Sequence, residues 1–230
     1  MGSASLDAAS ALGAAVEVVT ARLSVGARRL QAALSLLADS ERERAARFVN
    51  AADGERYIAG RARLRELLGE RLQTAPERVE LVYGLHGKPM LAPGCRRRLN
   101  FSVAHCEDLV SFAFSWLHPV GIDIEPVRRI GEADSIVARF FSHREQQAYY
   151  ALEPATRLLG FYNCWTRKEA FVKALGDGLA RPLHSFDVSL APHEPARMLR
   201  IGSLFGTACG WSLHSFTPAP GVVGAVALRR

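Results

Sequence analysis

Residues 121–127 read Gly-Ile-Asp-Ile-Glu-Pro-Val, a strand-like run near the middle of a 230-residue chain that sets two carboxylates, Asp123 and Glu125, among apolar neighbours. On a strand, residues two apart share a face, so Asp123 and Glu125 project together while Ile122 and Ile124 take the other side. Two hard oxygen donors on one face suit Mg²⁺, which takes one or two carboxylates and completes its octahedron with water and phosphate. By itself the pattern reads more readily as the solvated acidic face of an edge strand. Its neighbours along the chain decide between the two readings.

The surroundings are those of a globular protein. Hydrophobic residues make up 49% of the chain and charged ones 23%, and no run approaches the roughly 18 apolar residues of a membrane span. The N-terminus has no basic segment ahead of its apolar part, so no secretory signal and a cytoplasmic location are expected, with no membrane partner. Cys95, Cys106, Cys164 and Cys209 are scattered without a CxxC pair. Neither a zinc site nor a disulfide framework is indicated, and reduced, structural thiols are expected. The net charge of +6 comes almost entirely from arginine, the side chain suited to bidentate phosphate and carboxylate contacts. No stretch interleaves basic and aromatic residues as an RNA-binding strand does, so no nucleic-acid partner is expected.

Upstream of GIDIEPV, residues 34–72 carry helical periodicity, with Ser40 as a candidate N-cap and Glu43 at capping-box spacing. Residues 78–84 read as a strand, 85–91 as a turn punctuated by Gly87 and Pro89, and 99–105 and 109–115 as two further strands. A first strand fits within residues 14–23. Downstream, residues 135–152 and 157–175 read as helices stopped by Gly176 and Gly178, and 184–190, 210–216 and 222–228 as late strands. The second half thus repeats the style of the first without residue-level self-similarity, and a cleft is expected where the halves meet.

Three groups of residues carry candidate chemistry. In Trp-Thr-Arg-Lys-Glu-Ala-Phe-Val-Lys (residues 165–173), Trp165, Glu169 and Lys173 recur at i, i+4 and i+8 on one helix face. Glu169 suits a metal ligand or general base, and Lys173 the charge on a departing phosphate. The same spacing also describes an ordinary exposed Glu–Lys pair contributing about 0.2–0.5 kcal/mol. Lys88 sits on a turn between Gly87 and Pro89, and His105 ends a strand; both are phosphate-donor candidates, although a lone strand-end histidine is more often structural.

In this order the pieces resemble the Sfp type of 4′-phosphopantetheinyl transferases. The likeness runs from about Ser40 to Val188, with a fainter match in the terminal Gly-Ala-Val-Ala-Leu-Arg-Arg. The family's GKP appears as Gly87, Lys88 and Pro89, its GxDxE as Gly121, Asp123 and Glu125, and its WxxKExxxK as Trp165, Lys168, Glu169 and Lys173. The resemblance implies an α/β (α+β) pseudo-twofold fold, two similar halves each with a small, mainly antiparallel sheet packed on helices. Residues 1–117 would form an N-terminal half binding coenzyme A phosphates, and residues 118–230 a C-terminal half carrying Mg²⁺ and the catalytic residues. The implied reaction moves the 4′-phosphopantetheine arm of coenzyme A to a serine of an apo acyl or peptidyl carrier protein and releases adenosine 3′,5′-bisphosphate.

Carried over residue by residue, Asp123, Glu125 and Glu169 would hold Mg²⁺. Glu169 would take the serine proton, and Lys173 would stabilise the bridging or leaving phosphate. Arg44, Lys88 and His105, with Arg56 as a further candidate, would bind the coenzyme phosphates, and Gly87, Pro89, Ser102 and Lys168 complete that set. The length and two-half organisation imply a monomer. One departure stands out: the family's F-N-x-S-H reads here Phe101, Ser102, Val103, Ala104, His105, so a hydroxyl before the histidine is missing. The loss of one phosphate hydrogen bond, about 0.5–1.5 kcal/mol, is expected, with Ser102 or a backbone N–H as a substitute donor, so that coenzyme A affinity changes and activity is kept. A non-catalytic coenzyme A or carrier-binding module of the same fold is the alternative reading.

Overall fold

In the computed structural model, described for residues 8–11, 15–95, 98–176, 182–202 and 207–230, the chain builds one unit twice. The first copy runs β1 (Ala8–Ala11), β2 (Glu17–Arg22), α1 (Ala27–Leu36), α2 (Asp39–Ala46), α3 (Ala51–Leu72), a ribbon of β3 (Leu81–Tyr83) and β4 (Pro89–Leu91), and a hairpin of β5 (Asn100–Cys106) and β6 (Leu109–Ser115). The second runs β7 (Val120–Pro126), α4 (Ala133–Phe140), α5 (His143–Tyr150), α6 (Pro154–Leu175), a ribbon of β8 (Asp187–Val188) and β9 (Met198–Arg200), and a hairpin of β10 (Trp211–Ala219) and β11 (Val222–Arg229). In each copy the second hairpin strand pairs antiparallel with the leading strand, giving the matching orders β2-β6-β5 and β7-β11-β10, with β1 added outside β2. The long helices α3 and α6 each have 22 residues. The expected boundary at 117/118 lies in the connection between β6 and β7.

Alternation along the strands sorts the core into three layers. Val110, Phe112 and Phe114 of β6 turn to α3, where Leu64, Leu67 and Leu68 meet them. On α6, Phe161 and Phe171 pack with Trp211, Leu213, Ala225 and Ala227. Between the sheets, Val18, Ala104 and Ala113 face Ile122, Ile124 and Val226. Ile122 and Ile124 are 0% and 1% exposed, so each contributes about 1.5–3 kcal/mol of burial and fixes the face that β7 presents.

The free edge of β7 is closed by side chains of the first half. Lys88 Nζ donates to Val120 O at 3.1 Å, and the Ile122 N–H donates to Ser102 Oγ at 3.2 Å. Asp123 is only 6% exposed, which removes the solvated acidic edge as a reading.

Local differences from the sequence expectations have simple causes. The extended residue before α2 is Ala38, so Ser40 lies inside the helix; Glu41, not Glu43, reaches back to accept from the Ala38 N–H at 3.0 Å. Glu43 pairs instead with Arg47 one turn on. The strand expected over 78–84 shrinks to β3 because Pro76–Arg78 form a turn of 3₁₀ helix. The strand expected within 14–23 is β2, and its position 14 lies outside the described residues, as does Gly178. Gly176 ends α6 with φ 80°, the left-handed region glycine favours. No described helix is long and apolar enough to cross a membrane. Cys106 and Cys164 are buried, whereas Cys95 and Cys209 are exposed rather than structural.

Candidate active site in the cleft between the halves

The site starts at a glycine. A Cβ on Gly121 would stand 2.0 Å from Ala170 O and 2.4 Å from Ala174 N, so α6 lies directly on the β7 backbone. No other residue permits that approach. With β7 and α6 in contact, the face of 121, 123 and 125 meets the half-exposed stripe Trp165, Glu169 and Lys173. Lys173 Nζ donates to Asp123 Oδ1 at 2.7 Å, and Trp165 stands beside Glu125 and helps to hold its pKa down.

The three carboxylates carry more negative charge than their surroundings offset. Burial raises the pKa of Asp123, Glu125 and Glu169; the Asp123 charge raises the other two further, and Lys173 pulls all three back. Asp123 Oδ2 is buried without a hydrogen-bond partner. An orphaned carboxylate oxygen beside two repelling carboxyl groups and one ammonium is a donor set that fits a divalent cation. Among the described residues no three His, Cys, Asp or Glu side chains converge closely enough to enclose an ion on their own.

Glu169 and Lys173 open onto a cavity of about 610 Å³, with Asp123 and Glu125 set back from its wall. One wall is the α6 face of Glu169, Val172, Lys173 and Gly176; the opposite wall is the α3 face of Asp53, Arg56, Tyr57, Gly60, Arg61 and Leu64, both at helical three- and four-residue steps. The turn of Gly87, Lys88 and Pro89 and the end of β5 with Ser102 and His105 close it, and Arg44 stands at the rim. His105 is solvent-reached, and its pKa is lowered first by burial, then by Lys173 and Arg61. Arg56 is paired with Asp53, and the Arg44 guanidinium lies 5.4 Å from the Tyr57 ring centre.

Thus Arg44, Arg56, Gly87, Lys88, Pro89, Ser102, His105, Glu169 and Lys173 share one cavity, while Lys168 does not. Lys168 is 0% exposed, 2.8 Å from Glu145 Oε2, and donates to Leu183 O and Phe186 O at 2.7 Å each, which uses all three N–H bonds. About 100° around α6 from Glu169, it faces Glu145, Leu183 and Phe186 and does not reach the cavity. Ser102 is 3% exposed and its oxygen accepts from the Ile122 N–H, a bond that leaves its own O–H as a donor at the cavity wall. Residue 104 is not the place of a phosphate donor: the Ala104 methyl turns into the core between the sheets, away from His105.

Arg61 is a cavity residue that the sequence reading did not single out. Its guanidinium lies 5.5 and 5.7 Å from the Tyr57 and Tyr83 ring centres, with Nε 3.4 Å from Glu41. The signal in the sequence is a basic residue at i+4 from Tyr57, one helical turn on.

Residues 25–116 match the family described as 4′-phosphopantetheinyl transferase, N-terminal, and residues 119–224 match the 4′-phosphopantetheinyl transferase superfamily. The 4′-phosphopantetheinyl transferase HetI of Nostoc sp. is 34% identical over 87% of this chain and 81% of its own. Sfp of Bacillus subtilis is 31% identical over 68% of each chain. The human L-aminoadipate-semialdehyde dehydrogenase-phosphopantetheinyl transferase is 34% identical over 66% of this chain and 52% of its own. A solved holo-[acyl-carrier-protein] synthase of Thermotoga maritima covers 50% of this chain and 64% of its own at 20% identity, with a TM-score of 0.38.

Proposed function

This chain belongs to the 4′-phosphopantetheinyl transferase superfamily and moves the phosphopantetheine arm of coenzyme A to a carrier protein, and we propose that it does so in the cleft between its halves. The observation that carries this reading is the Lys173–Asp123 contact, which sets Lys173 with Glu169 on the wall of an arginine-lined cavity.

Coenzyme A lies in the cavity with its phosphates on Arg44, Arg56 and His105, and with the turn at Gly87–Pro89 against it. Asp123, Glu125 and Glu169 would hold Mg²⁺, which when bound neutralises charge on the pyrophosphate. Glu169 accepts the proton of the carrier serine hydroxyl. The serine oxygen forms its bond to the phosphorus that bears the pantetheine. The bond from that phosphorus to the bridging oxygen breaks, and adenosine 3′,5′-bisphosphate leaves. Lys173, oriented by Asp123, donates to the departing phosphate oxygen. The net charge of +6 favours encounter with acidic carrier proteins.

Both walls of the cavity come from one chain, which supports action as a monomer. Four unpaired thiols are compatible with the reducing cytoplasm, where we place it. The test is incubation with coenzyme A, Mg²⁺ and apo acyl and peptidyl carriers, read by intact mass. A phosphopantetheine adduct that disappears on chelation is expected, and no adduct on any carrier would sink the reading.

A further inference from the structure

We propose that Lys88 is a positioning residue that acts through Lys173: it is a strut locking the turn of the first half to the last turn of α6, and not a ligand of the coenzyme phosphates. This rests on the placement of Lys173 at the departing phosphate.

The strut is visible in the contacts of one ammonium group. Lys88 Nζ donates to Val120 O, on the free edge of β7, and to Lys173 O, among the last carbonyls of α6. The last four carbonyls of a helix have no partner within it and carry the negative end of its dipole, so a cation there is held by charge as well as by hydrogen bonding. Lys173 is thereby fixed at both ends, its carbonyl by Lys88 and its ammonium by Asp123. The base of the strut is itself rigid. The Gly84 N–H donates to Lys88 O and the Gly87 N–H to Gly84 O, with Gly87 at φ 77° and Pro89 opening β4. Ser102 and Ile122 make a second tie beside the first, so the two halves meet along one seam.

Composition points the same way. Of 29 basic residues only three are lysines, Lys88, Lys168 and Lys173. Lys168 gathers two carbonyls and one carboxylate around its ammonium, and Lys88 gathers two carbonyls. A compact group with three diverging N–H bonds fits such a pocket, whereas the flat fork of arginine, the better phosphate ligand, does not. Burial, followed by repulsion from Lys173, lowers the Lys88 pKa to about 8.

The experiment uses the full chain with Lys88→Met and Lys88→Arg, and measures kcat and KM for coenzyme A and for 3′-dephospho-coenzyme A with one apo carrier. A strut predicts that both variants lose at least tenfold in kcat. KM for coenzyme A moves less than threefold, and the preference for coenzyme A over its dephospho form stays within twofold of wild type. A phosphate ligand predicts the reverse: Lys88→Met raises KM for coenzyme A alone and erases that preference, while Lys88→Arg behaves as wild type. Either that pattern or unchanged kcat in both variants overturns the proposal. Should Lys88→Met fail to fold, Lys88→Arg decides by itself. A Lys173→Ala control with full activity would remove the site reading on which the strut depends, and so separates the two failures.

Discussion

Lys173 Nζ lies 2.7 Å from Asp123 Oδ1 across 50 positions of sequence, while the other Asp123 oxygen is buried without a partner. One carboxylate is thus half satisfied by the protein and half left for something else. The contact exists because α6 lies on β7 at Gly121, and it joins the two sequence motifs into one site.

Asp123→Asn keeps the shape and the contact with Lys173 but removes the charge. Burial raises the Asp123 pKa, so its ionised form costs stability above the ordinary value of 3.8. The variant should therefore melt no lower than wild type at pH 7 while transfer falls about 10²-fold or more. Thermal melts and adduct formation by mass spectrometry check the two halves of the statement, and wild-type-like turnover would refute the assignment.

Gly121→Ala should separate α6 from β7. A methyl placed 2.0 Å from Ala170 O forces backbone to move, at a cost of about 1–3 kcal/mol or more. A lower denaturation midpoint together with a large loss of turnover is expected. Retention of both in the variant would mean that the close approach has no functional weight.

Lys168→Met should act on stability and not on coenzyme A. It leaves Glu145 buried without its counter-ion, which costs about 3–5 kcal/mol. The Glu145 pKa is already raised by burial, with Lys168 pulling it down, so the variant raises it further. A raised acid binds its proton more tightly folded than unfolded, so stability falls as pH rises above the ordinary 4.5. Denaturant titrations should show the variant's deficit shrinking in acid. A deficit independent of pH, or a coenzyme A affinity more than threefold weaker in the folded variant, contradicts this placement.

Ala104→Ser restores the residue that the family carries before the histidine, yet it should not improve binding. The side chain at 104 points into the core between the sheets and is 1% exposed, so a hydroxyl there costs about 1–3 kcal/mol when unpaired. Calorimetry should find unchanged coenzyme A affinity and a lower melting temperature. Tighter binding would show that position 104 faces the cavity.

The Cys106 thiol is pushed up to about 11, first by burial and then by Glu125, Glu107 and Asp123. In a timed alkylation at pH 8, Cys95 and Cys209 should label, and Cys106 and Cys164 only on unfolding. Labelling of Cys106 at the rate of Cys95 would contradict its environment.

The motifs and most strands were legible in the residues alone, whereas the breaks that divide the helices of 27–72 and 133–150 were not. Period-two alternation in residues 109–115 and 120–125 and the i, i+4, i+8 stripe from Trp165 to Lys173 are local patterns, and local patterns survive in a string of letters. Their order also carried the family resemblance. What a string cannot express is which side chain spends its donors elsewhere. Lys168 and Glu169 are adjacent in one motif, yet a 100° step around α6 buries the first against Glu145 and opens the second to the cavity. Ser102 stands three residues from His105, yet its oxygen serves as the acceptor that closes the edge of β7. Arg61 is one of several arginines along α3, and only the packing that brings α3 and α6 to one cavity marks it out. Each of these was decided by packing between segments far apart in the chain, because burial makes an unpaired polar group costly and so assigns every donor to whatever acceptor the tertiary structure brings within reach.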